Sequence, residues 1–261
     1  MSSNEKLVLE KYADPTGEDG RAERITDRAE FHYTKRQLAP FITPESKVLE
    51  VGCATGHYGM YYADRCREYL GIDLVPSQIG LFREKIAAAG LTNVRCQVGN
   101  ATALSGIADG EFDVVLCLGP MYHLAAEERE KAAEECARVC RSGGIAAFAY
   151  INIIGTYAGA CVVWPELYPS EAGNGTLITM EDDLRPGLFR YSSPEEMEAL
   201  VSRHGLSKLK NRATDFMFLR GAVSGMDEER LRLLEPLYDA LTESESCTGT
   251  GGHALIICRK E

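Results

Sequence analysis

Short apolar runs alternate along this chain with stretches whose apolar positions recur at helical spacing. Lys47–Val51 (KVLEV) reads as a buried strand with a glycine-rich turn behind it, and Tyr58–Arg65 as a helix. Glu68–Asp73 predicts a second strand. Pro76 then opens a helix that runs over Ser77–Ala89 and is closed by Gly90. Val94–Val98 and Phe112–Leu118 are the next strands. The latter is apolar almost throughout, as suits a central parallel strand covered on both faces. Glu127–Val139 predicts a helix whose acidic start and basic end match the helix dipole, and Gly144–Ile151 a fifth strand. The rhythm breaks over residues 152–191, a stretch without clean period. It resumes at Ser193, an N-cap with Pro194 first and Glu196 third in a helix ending near Gly205. A strand over Leu206–Ala213, a helix over Asp227–Thr242 and a last strand over His253–Arg259 complete the pattern. Ahead of it all, the turn-rich segment up to Asp27 reads as loose, and residues 25–42 as one or two helices stopped by Pro44.

Strand–helix alternation with short links predicts an α/β fold, a parallel sheet with helices on both faces and right-handed crossovers. A structureless stretch as long as 152–191 inside such a domain reads as a lid or insertion. The 261 residues carry 28 Lys+Arg against 39 Asp+Glu, a net charge of −11 that argues against a broad nucleic-acid surface. No run approaches the length of a membrane span, and the polar, acidic start does not read as a signal peptide. Nine scattered cysteines without a CxxC pair read as buried thiols of a reducing compartment, so a cytoplasmic location is expected and no metal site.

The chemistry concentrates in LEVGCATGHYG, Leu49–Gly59, between a strand and a helix. Gly52 and Gly56 permit a sharp turn and a close approach of ligand to backbone. The N–H groups behind them favour a polar or anionic group, at the open end of a parallel sheet where such folds bind ligands. A dinucleotide fingerprint needs a third glycine where this chain has His57. The spacing here is Gly52, Ala54, Gly56, with an acid, Glu50, two residues ahead.

That pattern resembles the first motif of class I S-adenosylmethionine-dependent methyltransferases, with Ala54 in place of the middle glycine. The resemblance continues in order through Asp73 at the end of the second strand, Asn100-Ala101 after the third, LGPMYHL (Leu118–Leu124) after the fourth, and RVCRSGG (Arg138–Gly144) before the fifth. It is similar to the small-molecule methyltransferases of the ubiquinone-biosynthesis type, well over 31–151 and in outline beyond. It implies a Rossmann-like, seven-stranded, mostly parallel sheet with a reversed C-terminal hairpin. It also implies an N-terminal helical lid over 1–43 and a methyltransferase domain over 44–261 with an acceptor-site insertion at 152–191.

The resemblance implies S-adenosyl-L-methionine as cofactor, a small-molecule methyl acceptor, no nucleic-acid or membrane partner, and a monomer or homodimer. It places Glu50, Gly52, Cys53, Ala54, Gly56, Asp73, Leu74, Asn100, Ala101 and Leu118 against the cofactor, with Tyr33 reaching it from the lid. Asp73 would accept from the ribose hydroxyls, and the Asn100 carbonyl from the adenine amine. His123 is the candidate base, with Tyr122 beside it. Tyr12 is a second lid tyrosine for the methionine end, His57 a cofactor neighbour, helix-face residue or catalytic candidate, Trp164 and Tyr168 candidate walls of an acceptor pocket, and Arg185 and Arg190 candidate receivers of a carboxylate or surface partners of Glu181, Asp182 and Asp183. A nicotinamide-dependent oxidoreductase and a non-catalytic S-adenosylmethionine-binding regulator are the alternatives.

Overall fold

The computed structural model describes residues 2–24, 27–179 and 188–261. Seven strands form one sheet: β1 (Lys47–Val51), β2 (Glu68–Asp73), β3 (Val94–Val98), β4 (Phe112–Cys117), β5 (Cys140–Ile151), β6 (Leu206–Ala213) and β7 (His253–Lys260), in the order β3-β2-β1-β4-β5-β7-β6. β1 to β5 pair in parallel, and β7 runs antiparallel between β5 and β6. The order reverses between β1 and β4, and the carboxyl ends of those strands open the crevice expected of such a sheet.

Period-two alternation sorts the strand residues onto two cores. Leu49 and Val51 of β1, Val115 and Cys117 of β4, and Ile256 and Cys258 of β7 face one side, against α6 (Ala126–Val139) and α9 (Pro194–Arg203). Val48, Val114, Leu116, Leu255 and Ile257 face the other, against α3 (Arg28–Leu38), α4 (His57–Tyr62) and α5 (Pro76–Ala88). The capping box expected at Ser193 and Glu196 is present at α9, with each side chain bonded to the other's backbone N–H.

Three expectations need correction. The segment before Asp27 is not loose: α1 spans Ser3–Lys11 and a short turn of helix, α2, spans Thr16–Asp19. A Ser2/Glu5 capping box starts α1. The stretch after β5 is helical, with α7 over Ile153–Val163 and α8 over Glu171–Thr179. Asn152 anchors α7: its Oδ1 accepts from Ile154 N, and its amide donates to Thr248 O at 2.9 Å. The loop after β6 carries α10 (Met217–Val223), ahead of α11 (Glu228–Glu243). α3, α10 and α11 enclose a third apolar cluster around Tyr33, Phe216 and Tyr238. None of the described helices is long and apolar enough to cross a membrane.

Candidate active site

Two chambers adjoin over the β1 exit. The first lies across the carboxyl ends of β1, β2, β3 and β4. Its floor is Val51, Gly52, Ala54, Asp73, Leu74, Gly99, Asn100 and Ala101, and Asn4, Glu5, Val8 and Tyr12 wall it from the N-terminal segment.

The glycine turn closes on tight clearances. At Gly52, with φ +79°, an added Cβ would lie 2.6 Å from Pro120 Cδ, so the chain leaving β4 can approach only a bare backbone. Gly56 serves packing: at φ +81° it sits under the Phe82 ring, and an added Cβ would fall 2.0 Å from it. Gly56 is not among the residues that line either chamber. Ala54 adopts the left-handed conformation at φ 44° in place of the family's glycine. The Asp73 carboxylate holds it there by accepting from Ala54 N at 2.8 Å and from Val75 N at 2.9 Å. Burial pushes the Asp73 carboxyl above its ordinary value, against the pull of those N–H donors.

Asn100 departs from its expected role. Its carbonyl accepts from the Thr102 backbone N–H and hydroxyl, both at 3.0 Å, in a local turn. Its amide donates to Glu5 Oε1 at 2.6 Å, which brings a carboxylate to that end of the chamber instead. Gln78, absent from the expected set, donates from Nε2 to Tyr12 O, while its buried Oε1 has no partner. Leu74 and Ala101 line the first chamber; Glu50, Cys53 and Leu118 line the second.

Glu50 lies buried beneath the turn and accepts from the Tyr69 hydroxyl at 2.6 Å. Burial, with Asp73 nearby, pushes its carboxyl up to about 8 despite that hydrogen bond. Asp73, the orphaned Gln78 oxygen and the Glu5 carboxylate thus supply acceptors to a slot with apolar sides at Val8, Leu74 and Ala101. Those residues fit a nucleoside whose hydroxyls and amine donate and whose tail is cationic.

His123 and Tyr122 both reach the first chamber with their polar atoms occupied. His123 Nδ1 bonds Leu188 O at 3.0 Å, as donor, leaving Nε2 to accept from the Tyr12 hydroxyl at 3.2 Å. Burial lowers the His123 imidazole to about 4, and burial raises the Tyr12 phenol to about 12, consistent with those roles. The Tyr122 hydroxyl donates to Leu118 O at 3.1 Å.

Tyr33 stands in neither chamber. On α3 the residues Glu30, Phe31 and Thr34 share the face toward the second chamber, and Tyr33 points off it. Its ring stacks on Tyr238 and its hydroxyl donates to Asp239 at 2.8 Å, which corrects the expected cofactor contact. Trp164 is partly exposed at the end of α7 and Tyr168 packs on Tyr157, neither in a chamber. Arg190 lines neither chamber; its backbone N–H donates to Tyr122 O. Arg185 lies outside the described residues.

The second chamber, about 630 Å³, shares Gly52, Ala54, Gly119, Tyr122, Glu18 and Arg21 with the first. His57 lines it, held neutral because burial and the neighbouring Lys35 lower its imidazole to about 4. Sequence reasoning missed its charged corner. Arg21 pairs with Glu30 and lies 3.7 Å from Glu18. His253, the first residue of β7, bonds Asp215 Oδ2 through Nδ1 at 2.8 Å, and Glu30 Oε2 lies 3.9 Å from the same nitrogen. The missed signal is directional: a strand antiparallel to β5 begins at the carboxyl end of the sheet, so Ile151 pairs with His253.

Residues 48–144 match the methyltransferase domain family. The ubiquinone biosynthesis O-methyltransferase of Azoarcus sp. is 33% identical over 106 residues, 41% of this chain and 44% of that protein. The uncharacterised methyltransferase YcgJ of Bacillus subtilis is 29% identical over 100 residues, 38% of each chain. The chain therefore spans less than half the length of these relatives. In three dimensions the crystal structure of YcgJ superposes with a TM-score of 0.56 at 19% identity, over 88% of this chain and 99% of that one. The PH0226 protein of Pyrococcus horikoshii gives a TM-score of 0.61 at 15% identity over the whole of both chains. Residues 48–144 are thus similar in sequence to the methyltransferase domain family, and the seven-stranded fold is shared with YcgJ and PH0226.

Proposed function

We propose that this chain transfers a methyl group from S-adenosylmethionine to a small molecule. The observation that carries the reading is the sign of the charge in the first chamber. Among the described residues, Glu5, Glu18 and Asp73 line it against the guanidinium of Arg21, with Glu50 lining the adjoining chamber. A dinucleotide's pyrophosphate would meet repulsion there, whereas a sulfonium-bearing nucleoside would meet attraction at short range and reduced dielectric. When bound, that cofactor supplies an activated methyl group. Asp73 would receive the ribose hydroxyls, Leu74 and Ala101 would flank the base, and Gly52 would let the tail pass close to the backbone. The second chamber, reached over Gly52 and Tyr122, would hold the acceptor in line with the methyl group and away from bulk water. The net charge of −11 favours a small molecule over a nucleic acid.

Calorimetry with S-adenosylhomocysteine tests the cofactor half. One site per chain is expected, with NADH giving no heat under the same conditions. A response to NADH and none to S-adenosylhomocysteine would defeat the reading.

A further inference from the structure

The charged corner of the second chamber has no part in holding the cofactor in the account above, yet it is built with care. His253 is fixed twice by one side chain: Asp215 Oδ1 accepts from its backbone N–H at 2.6 Å and Oδ2 accepts from Nδ1–H at 2.8 Å. That fixes the tautomer and the ring plane. It leaves Nε2 with no hydrogen-bond partner among the described residues, on a residue that lines the chamber. The ring stands 6.5 Å from that of Tyr122, which lines both chambers. An imidazole oriented by a carboxylate through one nitrogen and open through the other is the arrangement proton transfer requires. His123, the histidine singled out from the sequence, has both nitrogens engaged.

We propose that His253, oriented by Asp215, takes the proton from a hydroxyl- or thiol-bearing acceptor bound in the second chamber. The inference rests on the methyl-transfer reading above and assigns its acceptor to the protic class. In the step, the acceptor's O–H or S–H proton passes to Nε2. The acceptor's lone pair forms the new bond to the methyl carbon, and the electron pair of the breaking carbon–sulfur bond returns to sulfur. The proton then leaves Nε2 to solvent when product departs.

The electrostatics around the ring set the pH at which it can act as a base. Glu30 from α3 and Asp215 from the loop after β6 face it, with Arg21 beyond Glu30, Tyr122 across the chamber and Arg220 of α10 behind Asp215. Burial alone would lower the imidazole, but the two carboxylates outweigh it and hold the group at about 9. Such a base is matched to an ionisable hydroxyl or thiol, and its effectiveness rises with pH as it sheds its resting proton.

The test uses the full chain with phenol as the protic probe. Nitrogen-15 NMR follows the His253 ring through a pH titration, in the wild type, D215N and E30Q, each with S-adenosylhomocysteine, with and without phenol. The expected results are a titration well above that of a free imidazole, a downward shift in D215N, and a displacement of the Nε2 resonance by phenol. Labelled methyl transfer to phenol is expected to fall about 100-fold in H253Q, with S-adenosylhomocysteine affinity held within twofold of wild type. Added imidazole is expected to restore transfer in H253A, which a merely structural histidine would not allow. An Nε2 resonance blind to phenol, transfer by H253Q at the wild-type rate, or a stoichiometric metal ion bound by Glu30, Asp215 and His253 would each overturn the inference. Failure of wild type to bind S-adenosylhomocysteine, with the Asp215-dependent titration intact, would identify the cofactor reading as the part at fault and remove the role with it.

Discussion

The two chambers that adjoin over Gly52 are walled by different kinds of chain. The first draws its floor from consecutive strand exits between residues 51 and 124, mostly backbone and small side chains. The second draws its charged corner from residues 21, 30, 215 and 253, on four separate elements. A site made of turns is set by local geometry and tolerates little change in shape. A site made of distant side chains is set by packing, and its chemistry can change while the sheet stays as it is. The contrast also means that substitutions in the first chamber should cost stability or cofactor affinity, and those in the second should alter ionisation.

The largest expected effect is therefore in the turn. Gly56→Ala places a Cβ against the Phe82 ring in a left-handed backbone. Overpacking and the backbone conformation together should cost about 2–5 kcal/mol of unfolding free energy by urea denaturation. Gly90→Ala is the control. It has a similar φ of +63° with nothing within 4 Å, so only the backbone cost of about 1–2 kcal/mol is expected. Equal losses in the two variants would show that the turn is not the tightly packed element described here.

Next is the pH response of the second chamber. His253 has its folded value raised above that of an unfolded histidine, to about 9. Its pairing with Asp215 and Glu30 therefore contributes fully below about pH 6.5, and the contribution is lost as pH rises through 9. Stability should fall across that window by on the order of 2 kcal/mol relative to a D215N variant, whose curve should be flatter. Parallel curves would mean that the carboxylate does not hold the proton on the ring.

How much of this was legible beforehand follows the same division. The parallel strands read correctly because central strands are apolar on both faces and end in distinctive turns, as Phe112–Cys117 does before Gly119. α7 escaped because IIGTYAGACVV is apolar all round and leaves no period to find. α1 did carry a signal, Ser2 and Glu5 at capping-box spacing ahead of an apolar run, and the acidic composition obscured it. Tyr33 and Glu30 lie three residues apart on one helix, and only packing decides that Glu30 meets the chamber while Tyr33 meets Tyr238. Asp215 and His253 are 38 residues apart, joined through the reversed strand, a pairing no local pattern records.

In the first chamber, Asp73→Asn should weaken S-adenosylhomocysteine binding roughly tenfold, because a charged acceptor becomes a neutral one with a single acceptor atom. The remaining oxygen can still serve Ala54 N or Val75 N, so unfolding free energy should change less than binding. Calorimetry and denaturation on the same variant separate the two. A binding loss matched by an equal loss of stability would mean that Asp73 only braces the turn.

The smallest effect belongs to the contact between the N-terminal segment and the strand exits. Tyr12→Phe deletes one hydrogen bond to His123 Nε2 and keeps the edge-on ring contact at 5.4 Å. A single neutral hydrogen bond contributes about 0.5–1.5 kcal/mol, and His123 Nδ1 retains Leu188 O. The global unfolding free energy should thus move little, while amide exchange in Ser3–Lys11 quickens several-fold, since that helix is held over the chamber by few other polar contacts. One of these is Gln78 Nε2 on Tyr12 O, which the substitution spares. Lowering the pH toward 4 should mimic the variant in the wild type. Protonation of His123 removes the lone pair that accepts the Tyr12 hydroxyl, and its depressed value places that loss at about 4, below the ordinary histidine range. In Tyr12→Phe the same acidification should produce no further change in α1 exchange. Full additivity of the two perturbations would show that Tyr12 and His123 do not act as a pair.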